Sequence, residues 1–161
     1  MVNVFLDLLS SVPEHKYYEQ LREEAKSVFR SEIDWADPSS PSKLPLLDSA
    51  IRESLRLHTI LMRGSIKEVM PENGVTLPDG NCLPQGSWLG TPNHSVHMDE
   101  RFYSNPMNYE PFRFVRSGPQ DGEVFSISEG LSDKASEYRK NVSLPTSSDI
   151  FMAWGHGRHA W

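Results

Sequence analysis

The stretch Leu46-Leu-Asp-Ser-Ala-Ile-Arg-Glu53-Ser-Leu-Arg56-Leu-His58 holds the densest pattern in the chain. Pro45 precedes it, and the pattern predicts a helix that follows Pro45 and runs to about His58. Leu47, Ile51, Ser54, Leu55 and His58 fall near one face. Glu53 and Arg56 lie three apart, on neighbouring turns, where a carboxylate and a guanidinium pair readily. On an open surface such a pair contributes little. Here an apolar stripe borders the charges, and the expectation is a partly buried pair.

Toward the N-terminus the chain reads as helical. Val4, Leu8 and Leu9 recur at helical spacing with no cap residue before them, so the chain is expected to begin inside a helix. Pro13-Glu14 opens a second helix that runs through Tyr17 to Phe29, with Leu21, Ala25, Val28 and Phe29 on one stripe. Its acids Glu19, Glu23 and Glu24 read as a solvated face, with attraction of a basic partner as the alternative. Asp37-Pro-Ser-Ser-Pro-Ser42 is a loop by composition. Beyond Arg63 the period changes. Ser65-Ile-Lys-Glu-Val69 alternates weakly, and Val75 to Pro84 predicts a hairpin around Asp79-Gly80. Ser87 to Val96 is expected as a further strand, and residues 99–108 as a short helix or turns. From about Ser117 to Asp149 the chain is polar, without a clear period. The fold class is mixed α and β, helices first.

Composition narrows the function classes. The chain has 161 residues, 16 Lys+Arg against 22 Asp+Glu, and a formal charge of −6, which argues against a general nucleic-acid binder. One cysteine excludes an internal disulfide framework and a multi-cysteine zinc site. That residue, Cys82, falls in the expected hairpin and reads as a small, half-buried side chain. No apolar run reaches the ~20 residues a membrane-spanning helix needs. Two sequons, Asn93-His-Ser95 and Asn141-Val-Ser143, read as chance occurrences without a secretory signal. Ser, His and Asp are abundant, but no Gly-x-Ser-x-Gly elbow points to a hydrolase.

Two more patterns follow the helix. In Asn105-Pro-Met-Asn-Tyr-Glu-Pro-Phe-Arg113-Phe114, the prolines fix an irregular path and Arg113 stands between phenylalanines, able to meet a buried carboxylate bidentately. The tail, Phe151-Met-Ala-Trp-Gly-His-Gly-Arg-His-Ala-Trp161, has Gly155 and Gly157 for a tight turn, with His156, Arg158 and His159 as donors. It lacks the Gly-Lys-Ser/Thr ending of a phosphate loop, and no carboxylate or thiolate stands at metal-ligand spacing.

In this order the three patterns resemble the C-terminal part of a cytochrome P450, a heme-thiolate monooxygenase, in its filamentous-fungal form. Glu53-x-x-Arg56 matches that family's helix motif. Tyr109-Glu-Pro-Phe-Arg-Phe114 is similar to its Phe-x-Pro-x-Arg-Phe segment, and Trp154-Gly-His-Gly-Arg-His-Ala160 to the run leading into the heme-binding cysteine. Leu77 to Gly86 resembles the family's hairpin, and His97-Met-Asp-Glu-Arg-Phe-Tyr103 the stretch after it. The resemblance covers nearly the whole chain. It implies one partial cytochrome P450 domain over residues 1–161, from the end of the central helix through the heme-binding loop, truncated at both ends.

The resemblance also implies roles. Glu53, Arg56 and Arg113 match the family's structural triad. Arg63 matches a position that pairs with a heme propionate, as does His159, and Trp154 opens the cofactor loop. The implied cofactor is heme, with an NADPH-dependent reductase and a small apolar substrate as partners and fungal secondary-metabolite biosynthesis as the setting. Full-length relatives would sit at the endoplasmic reticulum membrane, whereas this chain carries no anchor and would be cytoplasmic if expressed. One departure divides the reading: the axial cysteine position is occupied by Trp161, whose indole has no thiolate to give iron. No metal ligand and no catalytic residue is assigned, and an inactive truncated remnant stands as the alternative to a monooxygenase.

Overall fold

The computed structural model describes residues 2–10, 17–115 and 144–155. Three longer helices, α1 (Val2–Ser10), α2 (Tyr17–Val28) and α4 (Pro45–Leu57), precede the strands, with a short α3 (Glu32–Ala36) between the last two. Val4 and Leu21 turn inward from α1 and α2. The expected opening of α2 at Pro13 lies outside the described residues.

α4 organises the rest. Pro45 occupies its first turn, and its free N-terminal N–H groups are met from α2: the Glu24 carboxylate accepts from Leu46 N at 2.7 Å and Leu47 N at 2.9 Å. Glu24 is thus an internal cap rather than part of the expected solvated acidic face. α3 was not evident in the sequence. Asp34 accepts from the backbone N–H of Arg30 and Ser31 and starts it, and Trp35 stacks on Phe29 with ring centroids 4.1 Å apart. The stretch expected as loop from Asp37 closes into a 3-10 turn over Ser40–Lys43, with Asp37 bonded to Ser39 and Lys43.

β1 (Gly64–Glu68) pairs antiparallel with β4 (Trp88–Thr91), with a register irregularity between Gly64 and Lys67. β2 (Val75–Thr76) and β3 (Cys82–Leu83) form the expected hairpin, whose turn Gly80 enters with φ of 89°. Cys82 is exposed there, not half-buried. The strand expected to reach Val96 ends at Thr91. Pro92 cannot donate to the ladder, and a short helix, α5 (Asn93–His97), follows it. Residues 99–108 are turns.

Among the described residues the buried apolar set is small: Val4, Leu21, Leu44, Ala50, Val69, Tyr103, Phe151, Met152 and Ala153. α4 contributes little to it. Its buried positions are Ser49, Ala50, Arg52, Glu53, Ser54 and Arg56, so the face turned inward is mainly polar. Of the polar stretch from Ser117 to Asp149, only residues 144–149 are described.

Candidate functional site

The polar face of α4 closes on the chain that follows it. Glu53 and Arg56 are both fully buried and meet fork to fork: Arg56 Nε donates to Glu53 Oε2 and Arg56 Nη2 to Oε1, each at 2.8 Å. Glu53 Oε1 also accepts from Arg113 Nε at 3.0 Å and from Glu110 N at 3.1 Å. Arg56 Nη1 reaches the carbonyls of His97 and Pro106 at 2.7 and 2.8 Å. Arg113 Nη1 donates to Ser104 O at 2.7 Å, and Arg113 Nη2 pairs with Glu110 at 3.1 Å. The guanidinium of Arg56 lies over Tyr103, 5.0 Å from its centroid. The pair expected to be partly buried is therefore fully enclosed. Its donors are spent on carbonyls of the irregular segment 97–110, which two arginines hold in place.

A second layer ties residues 144–155 to the same helix. Asp48 Oδ1 accepts from Leu144 N at 2.8 Å, and the Trp154 indole N–H donates to Leu144 O at 2.9 Å. Phe151, fully buried, carries the Arg52 guanidinium 3.8 Å from its ring centroid and stacks on His97 at 5.4 Å. Met152 N donates to His97 Nε2 at 2.9 Å, and Asn93 Nδ2 donates to Met152 O at 3.2 Å. Burial holds the His97 imidazole well below its ordinary range, at about 4, with the charges of Arg56, His94 and Arg52 acting in the same direction. Gly155 leaves the segment with φ of 82°, in the left-handed region.

A third polar knot joins α1 to α4. Asp7 accepts from Ser54 Oγ at 2.6 Å and meets His58 Nε2 at 2.9 Å. Here the carboxylate stands between hydroxyl and imidazole. A hydrolytic triad needs the imidazole in the middle, so this cluster fastens helices rather than activating a nucleophile. Beside it, burial raises the Tyr109 hydroxyl to about 12.

Of the residues singled out as cofactor contacts, Arg63 is exposed at the entrance to β1 and Trp154 is half-buried. They share a neighbourhood through one contact chain. Gly64, next to Arg63, packs on Asn93, and Asn93 holds Met152, two residues before Trp154. His156, His159 and Trp161 lie outside the described residues. Sequence reasoning gave Arg52 no role, read Asn93 only as a chance sequon and His97 only as the start of a family-like stretch. The four-residue spacing of Asn93 and His97 was a usable signal, masked by the expectation of a strand. Asn93 is fully buried and bonded, so its sequon is no acceptor for glycosylation.

The chain belongs to the cytochrome P450 family: the family model described as Cytochrome P450 matches residues 3–158. It is similar to cytochrome P450 monooxygenase polB of Polytolypa hystricis, 42% identical over 97% of this chain and 28% of that protein. It also resembles cytochrome P450 monooxygenase efuH of Hormonema carpetanum, 41% identical over 98% of this chain and 26% of the relative. Cytochrome P450 monooxygenase nodZ of Hypoxylon pulicicidum is 43% identical over 96% of this chain and 30% of its own length. The chain thus spans between 26% and 30% of the length of these three relatives.

Membership implies heme, and the residues present meet that group unevenly. Arg63 is an exposed cation. For the iron, the described residues offer no thiolate outside the hairpin. Among the described residues no group of three or more His, Cys, Asp or Glu could hold a metal ion. The one cysteine is exposed in the hairpin, and Trp161 supplies no thiolate. Among those residues, too, no helix is long and apolar enough to cross a membrane.

Proposed function

We propose that these 161 residues form the part of a heme-dependent monooxygenase domain that braces its cofactor loop, with Glu53, Arg56 and Arg113 as the structural triad. The observation that carries this is the enclosed network around Glu53, in a chain that matches the family over residues 3–158. Arg63, His159 and Trp154 are the residues proposed to face heme. The whole protein would place one atom of O2 in a small apolar molecule and release the other as water. The two electrons would come from NADPH through a reductase. The proposed setting is fungal secondary-metabolite biosynthesis at the endoplasmic reticulum membrane, and the relatives support its fungal, monooxygenase part.

Trp161 supports a second reading, a chain that folds as its relatives do but performs no oxygen chemistry. One experiment separates the two. The longest product carrying these residues is supplied with heme, reduced and treated with CO, both as it stands and as Trp161→Cys. A thiolate-type Soret band in Trp161→Cys alone favours the non-catalytic reading, with residues 154–161 as a heme loop that lacks its iron ligand. The band in both forms removes the non-catalytic reading. Its absence from Trp161→Cys, in a folded product, overturns the proposal that residues 154–161 form a heme loop.

A further inference from the structure

We infer that Asn93 and His97 are positioning residues that grip Met152 by its backbone and so set how the segment continuing through Gly155 leaves the core. The inference rests on the reading above only in naming that segment the approach to a heme loop.

The grip has two jaws, one turn apart on α5. His97 Nε2 takes the Met152 N–H and Asn93 Nδ2 donates to the Met152 C=O, so both polar groups of one peptide position are held by side chains. Each jaw is itself fixed. Because His97 Nε2 accepts, its ring proton sits on Nδ1, which faces Thr59 Oγ1 at 2.7 Å and Arg56 O at 3.2 Å. Thr59 Oγ1 in turn donates to Arg56 O at 2.9 Å. Asn93 Oδ1 accepts from Thr91 Oγ1 at 2.7 Å, which leaves its amide nitrogen for Met152. Gly64 lies against that amide, and a Cβ there would collide with it. Both side chains are fully buried. The imidazole therefore serves in one tautomer and one charge state.

Protonation would aim a second N–H at the Met152 N–H and leave that donor without an acceptor. Burial resists this first, and so do the charges of Arg56 and Arg52 from α4 and of His94 on its own helix; the Arg56 carbonyl at Nδ1 acts the other way and is outweighed. The Tyr103 ring presents its edge at 6.5 Å. No carboxylate among the described residues bonds to the ring. The grip is thus built to hold throughout the neutral range and to let go in acid.

Hydrogen exchange at the Met152 amide tests this in the full chain, with nitrogen NMR of the His97 ring reporting the tautomer. Phe at 97 keeps an aromatic ring against Phe151 but offers no acceptor, whereas Gln offers a carbonyl oxygen. In His97→Phe we expect Met152 exchange to rise roughly tenfold or more, as for one lost buried hydrogen bond, with α4 amides unchanged. His97→Gln should recover most of that protection. In the unsubstituted chain the amide should be released as pH falls toward about 4, and in His97→Gln it should not. Equal exchange in His97→Phe and the parent overturns the inference. So do an Nε2–H tautomer, an unprotected Met152 amide at neutral pH, or α4 amides released in step with Met152. None of these readouts needs heme, so failure of the heme assignment leaves them intact and is separately visible.

Discussion

The inward face of α4 and the chain just beyond it reverse the usual partition of side chains. Arg52, Glu53 and Arg56 are fully buried, whereas Ile60, Leu61, Met62, Ile66 and Met70 are between 48% and 70% exposed. Glu53 and Arg56 reach the interior because each is answered, and Arg52 lies over the Phe151 ring. Glu53 receives Arg56, Arg113 and a backbone N–H, and these two arginines spend their remaining donors on carbonyls of residues 97–110. Burying an ion pair is at best a small net gain, and leaving one partner alone is severe. This region therefore owes its shape to a closed set of polar contacts rather than to apolar area, in keeping with a hydrophobic fraction of only 37%.

The sharpest way to break that contrast is Glu53→Gln. It preserves shape and removes the charge that pairs with Arg56 and that Arg113 shares with Glu110, and we expect a loss of about 3–5 kcal/mol in denaturant unfolding. Replacing Glu53, Arg56 and Arg113 together by Met or Leu strands no buried charge but leaves the carbonyls of His97, Ser104 and Pro106 without their donors, so we expect a loss of similar size. If Glu53→Gln costs no more than truncating Ile66, the network does not shape the region.

His97 comes next. Its folded-state value of about 4 lies below the ordinary 6.5, so the unfolded chain takes up the proton first as pH falls. The stability it contributes is complete above about pH 6.5 and is lost toward about pH 4, a span equivalent to about 3 kcal/mol. Carboxylates also titrate in acid, so the measurement is the difference between the parent chain and His97→Gln across pH 4 to 7. That difference should widen with rising pH. A constant offset would mean that the charge state of His97 does not matter to the fold.

Gly64→Ala probes the same grip from the other side. Its Cβ would press on the Asn93 amide and Thr91 Oγ1, both committed to hydrogen bonds. We expect about 1–3 kcal/mol of destabilisation. A Met152 amide that exchanges faster than those of α4 would localise the damage. Unaltered stability would show that β1 and α5 part freely.

Much of this was readable in advance because it is local. Pro45 and the repeat after it marked α4 to within a residue, Asp79-Gly80 marked the hairpin, and Glu53 and Arg56 marked the ion pair. What stayed hidden is carried by contacts far apart in sequence. Nothing near Glu24 says that its carboxylate meets a helix start 22 residues on. Ser87 to Val96 has a strand's composition up to Pro92, and only the backbone of Met152, 55 residues beyond His97, explains why a helix with Asn93 and His97 on one side follows. Nothing local marks Arg52, since the ring it covers belongs to Phe151.

The smallest expected effects set the scale for the rest. Glu24→Gln keeps an acceptor for one N–H of α4 and removes the charge that favours a helix N-terminus, so we expect roughly 1 kcal/mol in thermal or urea unfolding. Ile66→Ser exchanges an apolar side chain that is 57% exposed, and its cost should stay within about 0.5 kcal/mol. The order of these two is the informative part. Both residues sit away from the Glu53 network, and ordinary bookkeeping by apolar area would rank the isoleucine first. If the polar exchange at position 24 costs more, contacts to helix ends outweigh apolar area beyond the triad as well. If Ile66→Ser costs more, the polar logic is confined to the inward face of α4 and the loop it holds.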